Sequence, residues 1–263
     1  MDKSTLGARM KKYERSYDYQ IIGRIPIIIR LDGKGFSKWT KKCKFIKPFD
    51  HLMSGQMSRA MKETAEKIEG CMFSYTQSDE ITFVLRNDQS LEATPWFDNR
   101  IQKIGSVVNS IFTAHFNNFD KKLYDFPLAY FDARVFAVPT KSEILNGLIW
   151  RQNDCVKNSI SAACYYEVAK IKGKKTTRKM MHGLNQKQQQ ELLFAEAGIN
   201  WNDYPIKFKR GSCCYRVEYN LTIDGNDCVR SKWVIDNDMP IITKNRKFLE
   251  DILWTEADEI LEE

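Results

Sequence analysis

The apolar positions of this chain change period several times, and the changes lay out an order of elements. Residues 25–29 read Ile-Pro-Ile-Ile-Ile, a continuous apolar run of the kind that forms a buried strand, and it carries on to Asp32. A polar N-terminal helix is expected ahead of it, up to about Gln20. After a polar connection, Met53, Met57, Met61 and Ala65 recur at helical spacing toward Ile68, which predicts a helix beginning near Asp50 with methionine as core filler. Two short runs, 71–75 and 80–85, read as strands joined by a tight polar turn that carries Ser78 and Asp79. Helical spacing returns over 96–116, where Ile101, Ile104, Val108, Ile111 and Phe112 share a face, and a further strand is expected over 129–138.

This β-α-β-β-α-β order is the ferredoxin-like pattern of an α+β core. In such a sheet the first and third strands are antiparallel neighbours, so the end of the first lies beside the start of the third. Asp32 and Asp79 are therefore expected to meet.

Beyond Pro139 the pattern turns helical, with helices expected over 142–155, 158–170 and 186–197, the last stopped by Gly198. The intervening 173–182 reads as a basic loop or arm. A terminal strand pair is expected over 213–223 and 228–235, its turn and register left open. Nothing Gly/Ser-rich separates 1–139 from 140–263, so the second part is expected to pack on the core as one compact unit.

Composition narrows the function classes. The 263 residues, 43% hydrophobic, suffice for a full-sized core. No stretch approaches the roughly 20 apolar residues that span a bilayer, and residues 1–9 lack a signal-peptide core, so a cytoplasmic protein without membrane contact is expected. Seven cysteines, with Cys213 and Cys214 adjacent, fit neither a disulfide framework nor a paired zinc pattern. His51, His115 and His182 are the three histidines and form no HExxH, so catalytic zinc is not expected. The formal charge of +7 permits binding to a polyanion without demonstrating it. Placement says more: Lys170, Lys172, Lys174, Lys175, Arg178 and Lys179 fall within ten residues, and Lys38, Lys41, Lys42, Lys44 and Lys47 form a second group.

The candidate chemistry sits where strands give way to turns. Phosphoryl or nucleotidyl transfer needs hard oxygen ligands, open coordination positions for phosphate oxygens and donors for the remaining charge. Asp32 and Asp79 can bridge two Mg²⁺ ions, with the Gly33 carbonyl able to approach a metal. Lys34-Gly35-Phe36-Ser37 can wrap phosphate with backbone N–H groups. Taken singly, each piece has an ordinary alternative: Asp32 capping a turn, Asp79 and Glu80 solvating a hairpin tip, Arg100 and Lys103 on the polar face of a helix. Their coincidence within one layout is the stronger signal.

The runs RLDGKGFSKW, YTQSDEITFVL and WRQNDC resemble the tRNA-histidine guanylyltransferase family, including its bacterial and archaeal tRNA guanylyltransferase-like proteins. Further resemblance lies at Phe45 to Asp50, Phe131 to Val135, Glu191 to Phe194 and Lys209 to Gly211, in the same order over residues 5–216. The resemblance implies a polymerase-palm or nucleotide-cyclase-like core that works as a 3′-5′ polymerase on the 5′ end of tRNA. A 5′-monophosphate would be activated with ATP or GTP, and the 3′-hydroxyl of an incoming nucleotide would then attack the activated phosphate.

By the same resemblance Asp32, Gly33 and Asp79 would hold two Mg²⁺, with Glu80 at the adjacent acidic position. Gly33, Lys34, Gly35, Phe36, Ser37 and Ser78 would surround a triphosphate. Lys47, Asp50, Arg100 and Lys103 match positions associated with a nucleotide or the reacting 5′ end. Lys172, Lys174, Lys175, Arg178 and Lys179, with Asn158, are candidates for holding tRNA, and a homotetramer is the family's usual assembly. One departure stands out: after WRQNDC this chain continues Val156-Lys157-Asn158-Ser159, where the eukaryotic enzymes continue His-Ile-Asn-Asn. It points toward template-dependent repair of 5′-truncated tRNA. Non-templated guanosine addition to histidine tRNA, a non-catalytic tRNA-binding module and a nucleotide cyclase are the alternatives.

Overall fold

A computed structural model describes residues 5–254 except 91, 121, 224 and 225; expectations touching residues 1–4 and 255–263, and the turn of the terminal strand pair, lie outside the described residues. The chain runs α1 (Leu6–Arg15), β1 (Ile27–Gly33), α2 (Phe36–Lys42), α3 (His51–Ala65), β2 (Cys71–Gln77), β3 (Glu80–Leu85), a 3-10 turn (Trp96–Asn99), α4 (Ile101–Phe116) and β4 (Phe131–Ala137). It continues through α5 (Lys141–Lys172), α6 (Lys174–Met181), α7 (Gln186–Ala197), a second 3-10 turn (Trp201–Asp203), α8 (Ile206–Arg210), β5 (Ser212–Ile223), β6 (Asn226–Asp236) and α9 (Lys247–Leu253). The strands form one sheet in the order β4-β1-β3-β2-β5-β6 with every pair antiparallel. The first four strands stand in the ferredoxin-like order, and the terminal pair extends the sheet beyond β2.

Strand alternation assigns the faces. Ile27, Ile29 and Leu31 of β1 join Ile81, Phe83 and Leu85 of β3 beneath Met57 and Met61 of α3 and Ile104, Val108 and Phe112 of α4. On the opposite face Phe73, Tyr75 and Val84 meet Ile144, Leu145 and Leu148 of α5 and Leu249 and Leu253 of α9. Buried Arg86 clamps the last helix to the sheet, donating to both oxygens of Asp88 at 2.8 and 2.9 Å and to the Leu253 carbonyl at 2.5 Å. All seven cysteines are free thiols. Among the described residues no helix is long and apolar enough to cross a membrane.

Several expectations need correction. The helices expected over 142–155 and 158–170 are one continuous helix, α5, of 32 residues. Val156 and Lys157 offer no Gly or Pro to break it, and Cys155, Ser159, Ile160 and Ala163 keep one side buried across the join. At 1.5 Å per residue it is about 48 Å long. Its first half covers the sheet. Its second half carries a separate small core in which Ala163, Cys164 and Val168 meet Leu193 of α7.

The basic stretch expected to be a loop is also helical. Gly173, at φ 79°, turns the chain from α5 into α6, and the buried Thr177 donates its hydroxyl to the Gly173 carbonyl at 2.9 Å. The helix expected over 96–116 starts late, because Phe97, Asp98 and Asn99 have φ of 50°, 53° and 56° and α4 begins at Ile101. The polar connection after β1 contains a helix, α2, that periodicity did not predict.

Gly211 joins α8 to β5 at φ 80°, and a Cβ there would lie 2.5 Å from the Thr76 carbonyl oxygen and 2.6 Å from the Tyr75 ring. Gly211→Ala is expected to cost at least about 1–3 kcal/mol, from the backbone conformation before the clash is counted. Urea denaturation beside the wild type checks this.

Candidate active site

Two acidic turns meet at one end of the sheet because β1 and β3 pair antiparallel, in a register that sets Asp32 opposite Glu80. A backbone hydrogen bond stitches them together: the Gly33 N–H donates to the Asp79 carbonyl at 3.1 Å. Ser78, at φ 51° on the hairpin tip, donates its hydroxyl to Asp79 Oδ1 at 2.9 Å. Burial holds the Asp79 carboxyl above the usual range and nearby Asp32 adds to the shift, while the Ser78 hydroxyl and Lys47 oppose it. Burial likewise lowers Lys47, against the pull of Asp79 and Asp50. Asp79 is incompletely neutralised by the chain and Asp32 has only a loose pairing with Arg134 at 3.8 Å, so a cation between them would relieve the remaining negative charge.

The backbone beside Asp32 is shaped for close approach. A Cβ on Gly33 would overlap the Phe36 ring, and Gly35 opens α2 at φ 66°. Phe36 is fixed by buried aromatic contacts with Trp39 and Phe131, both at 4.9 Å between centroids. The N–H groups of Gly35, Phe36 and Ser37 meet no acceptor among the described residues, as expected at a helix start.

These pieces border a cavity of about 230 Å³. Of the residues singled out by sequence, Phe36, Ser37, Lys47, Asp50, Ser78, Asp79 and Asn158 line it, and Asp32, Gly33, Lys34 and Gly35 belong to the turn that adjoins it. Asp50 also has a structural task as N-cap of α3: one oxygen accepts from the Leu52 and Met53 N–H groups at 2.9 and 3.0 Å, the other from Ile46 at 2.8 Å.

Glu80 is engaged elsewhere, accepting from Arg151 Nη1 at 3.0 and 2.8 Å. Both groups are largely buried, and desolvation keeps the Glu80 carboxyl above its usual range despite the guanidinium. Arg100 and Lys103 stand outside the cavity. They lie at the start of α4, where Arg100 Nε pairs with Asp18 at 2.6 Å and the Lys103 ammonium lies 4.7 Å from the Phe97 ring centroid. Lys172 pairs with Glu196 at 2.8 Å, whereas Lys174, Lys175, Arg178 and Lys179 are exposed along α6.

On the opposite cavity wall, Asn158 was the one site candidate the sequence offered. Cys155 and Ser159 of α5, Lys207 and Phe208 of α8, and Thr76 and Gln77 of β2 all line the cavity. Cys155 lies in the WRQNDC run, and its thiol is pushed up to about 12 by burial, which makes it a packing group rather than a nucleophile. Lys207 and Phe208 carry no local signal beyond the Lys209-Arg210-Gly211 that follows them.

Among the described residues no group of three or more His, Cys, Asp and Glu side chains is placed to hold a metal ion. The donor set fits Mg²⁺ nonetheless, since that ion is usually held by one or two carboxylates with substrate phosphates and water completing the shell. Asp32, Asp79 and the Gly33 carbonyl form such a partial set.

Removing Arg151 would leave Glu80 as a buried carboxylate without its partner. Arg151→Ala is expected to lose about 3–5 kcal/mol of stability at neutral pH. Because the folded-state pKa of Glu80 is raised, the Glu80 part of that loss is full above that raised value and fades as pH falls from it toward the usual glutamate value of 4.5. Adding Glu80→Gln should recover part of the loss. Denaturant melts of the single and double variants at pH 7 and pH 4 check this, and equal losses at the two pH values would count against it.

Comparison with known proteins bears on the whole chain. Residues 7–139 match the family model for tRNAHis guanylyltransferase, and residues 142–249 match that for the Thg1 C terminal domain. The chain is 33% identical over 210 residues to the tRNA(His) guanylyltransferase of Debaryomyces hansenii, covering 76% of this chain and 77% of that one. Among solved structures it resembles a bacterial tRNA(His) guanylyltransferase-like protein in complex with ATP, at 37% identity and TM-score 0.82 over 96% of this chain and 100% of that one. A bacterial protein of the same description in complex with GTP matches at 36% identity and TM-score 0.78, with the same coverage. Two family models lying end to end along the chain, on a fold shared with those structures, make it a member of the tRNAHis guanylyltransferase family and an enzyme of the tRNA nucleotidyltransferase class.

Proposed function

We propose that this enzyme adds a nucleotide to the 5′ end of a tRNA, guanosine addition to histidine tRNA being the activity that its relatives' names favour. The observation that carries the proposal is the stitched pair of acidic turns beside a cavity that also holds Lys47 and the open N–H groups of α2. The relatives solved with ATP and with GTP support a nucleoside triphosphate in that cavity. In the first step an oxygen of the tRNA 5′-monophosphate attacks the α-phosphate of ATP, forming a 5′-adenylylated end and releasing pyrophosphate. In the second, the 3′-hydroxyl of GTP attacks the tRNA 5′-phosphate, and AMP leaves.

Asp32, Asp79 and the Gly33 carbonyl would hold Mg²⁺, which when bound neutralises phosphate charge and acidifies an attacking hydroxyl. The N–H groups of Gly35, Phe36 and Ser37 would receive phosphate oxygens, with the Ser78 hydroxyl and Lys47 on their flank. Glu80, held by Arg151, would fix the start of β3 and so the position of Asp79. The tRNA would lie along α6, and the enzyme is taken to be cytoplasmic and homotetrameric, as the composition and the family resemblance imply.

A specific observation supports templated repair as the second reading. The departure Val156-Lys157-Asn158-Ser159 falls on the part of α5 that faces the cavity, where Asn158 and Ser159 form its wall and the Ser159 hydroxyl accepts from Trp201 Nε1 at 3.2 Å. Of the three positions that differ from the eukaryotic pattern, Val156, Lys157 and Ser159, Ser159 lines the cavity and would meet the substrates, while Asn158 beside it is common to both patterns.

One assay separates these readings. Intact histidine tRNA and a 5′-monophosphorylated tRNA lacking its first nucleotide are each incubated with Mg²⁺, ATP and all four NTPs, beside Asp79→Ala. Guanosine added to intact histidine tRNA irrespective of the opposing base supports the first reading; addition restricted to the complement of the 3′ partner base supports the second. Both should be lost in Asp79→Ala. Binding of tRNA without addition to either would sink both.

The role of α6 is tested separately. Changing Lys174, Lys175, Arg178 and Lys179 together to Gln should weaken tRNA binding and flatten its salt dependence, with Mg·ATP affinity unchanged. An unaltered salt slope would remove α6 from the RNA path.

A further inference from the structure

Lys207 is a cation set on the cavity wall with no anion to meet it among the described residues. Its surroundings are firmly held. The Tyr75 hydroxyl donates to the Arg210 carbonyl at 2.8 Å, Phe208 stacks on Phe49 at 5.0 Å with the rings 8° apart, and Lys209 is buried and donates to the Asn202 carbonyl. Gly211 presses the end of the same short helix against β2. Lys207 itself makes no ion pair or hydrogen bond among the described residues, and its ammonium lies 5.2 Å from the Phe208 ring centroid. Such a contact is weak at a partly exposed site.

The cavity's other lysine differs. Lys47 donates to the Thr40 hydroxyl at 3.1 Å and lies within the fields of Asp79 and Asp50. It is tied to α2 through Thr40, and its ammonium lies 6.0 Å from the Tyr166 ring of α5. Lys207 lies on α8, which packs against α5, the helix that carries Asn158. A nucleotidyl transfer to RNA brings two anions into one site, a triphosphate and a 5′-phosphate, and each needs its own donors. The α5 side is continuous with the exposed basic helix α6, about 22 Å along α5 from Asn158 to Gly173 at 1.5 Å per residue.

We propose that Lys207, beside Asn158, binds the 5′-terminal phosphate of the RNA substrate, while Lys47 serves the nucleoside triphosphate. The assignment rests on the function proposed above and adds to it a recognition residue for the 5′ end.

The test compares full-length wild type, Lys207→Ala and Lys207→Arg. Affinity is measured for one tRNA carrying either a 5′-monophosphate or a 5′-hydroxyl, and separately for Mg·ATP by calorimetry, with a thermal melt to establish folding. The wild type should prefer the 5′-phosphorylated RNA. Lys207→Ala should lose about ten-fold on that RNA alone, the worth of one charge-assisted hydrogen bond. Affinity for the 5′-hydroxyl RNA and for Mg·ATP should stay level, and Lys207→Arg should retain most of the preference.

A loss of Mg·ATP affinity instead would assign Lys207 to the nucleotide and overturn the proposal. So would an equal loss on both RNAs, which would mark a general backbone contact, or no change at all. Wild-type indifference to the 5′-phosphate would overturn it too, while nucleotide addition by the same preparation would leave the proposed function standing. An intact, Lys207-dependent preference without any nucleotide addition would sink the proposed activity and leave the phosphate contact in place.

Discussion

The antiparallel pairing of β1 with β3 is the constraint on which the rest depends. It brings Asp32 to the pair Asp79-Glu80 across nearly fifty residues of chain, and the Gly33 N–H to Asp79 carbonyl bond ties the two turns where the strands end. A shift of one residue in this register would turn Asp32 onto the buried face beside Ile81 and Phe83 of β3 and carry Ile29 and Leu31 off it. The hydrophobic core below therefore specifies the geometry of the acidic pair above it.

Charge is managed differently at neighbouring positions of the hairpin. Glu80 is neutralised inside the protein by Arg151, and that pair pins β3 to α5. Asp79 is left with a serine hydroxyl and a partly desolvated lysine, so its charge is incompletely met by the chain itself. The contrast assigns the two acids to different tasks, one holding the architecture and the other facing the cavity. The SDE run gives no means of telling them apart.

The long α5 links the sheet to everything that follows it. Its first half shields the face opposite α3 and α4, its middle supplies Arg151, Cys155, Asn158 and Ser159, and its far end bears α6 and α7. The small α8 then crosses toward α3, where Phe208 meets Phe49 and His51. The cavity is enclosed by elements from both halves of the chain, so neither half alone forms the site.

The sequence alone determined the ferredoxin-like order, the strand boundaries to within a few residues and the meeting of the two acidic turns, because strand periodicity and turn chemistry act over short distances. It identified the residues on the α2 side of the cavity through the compact runs around Asp32, Lys47 and Asp79. It missed the short α2, which lacks enough turns to show a period, and divided α5 at Val156-Lys157, where the apolar spacing lapses without interrupting the helix. The basic stretch looked like a loop because its few apolar positions conceal the single buried contact of Thr177. Only the tertiary structure decided that Glu80 belongs to Arg151, that Arg100 and Lys103 lie away from the cavity, and that Lys207 and Phe208 stand on its wall. Those outcomes depend on which side chains share a desolvated space once helices cross, and separation along the chain carries no record of that.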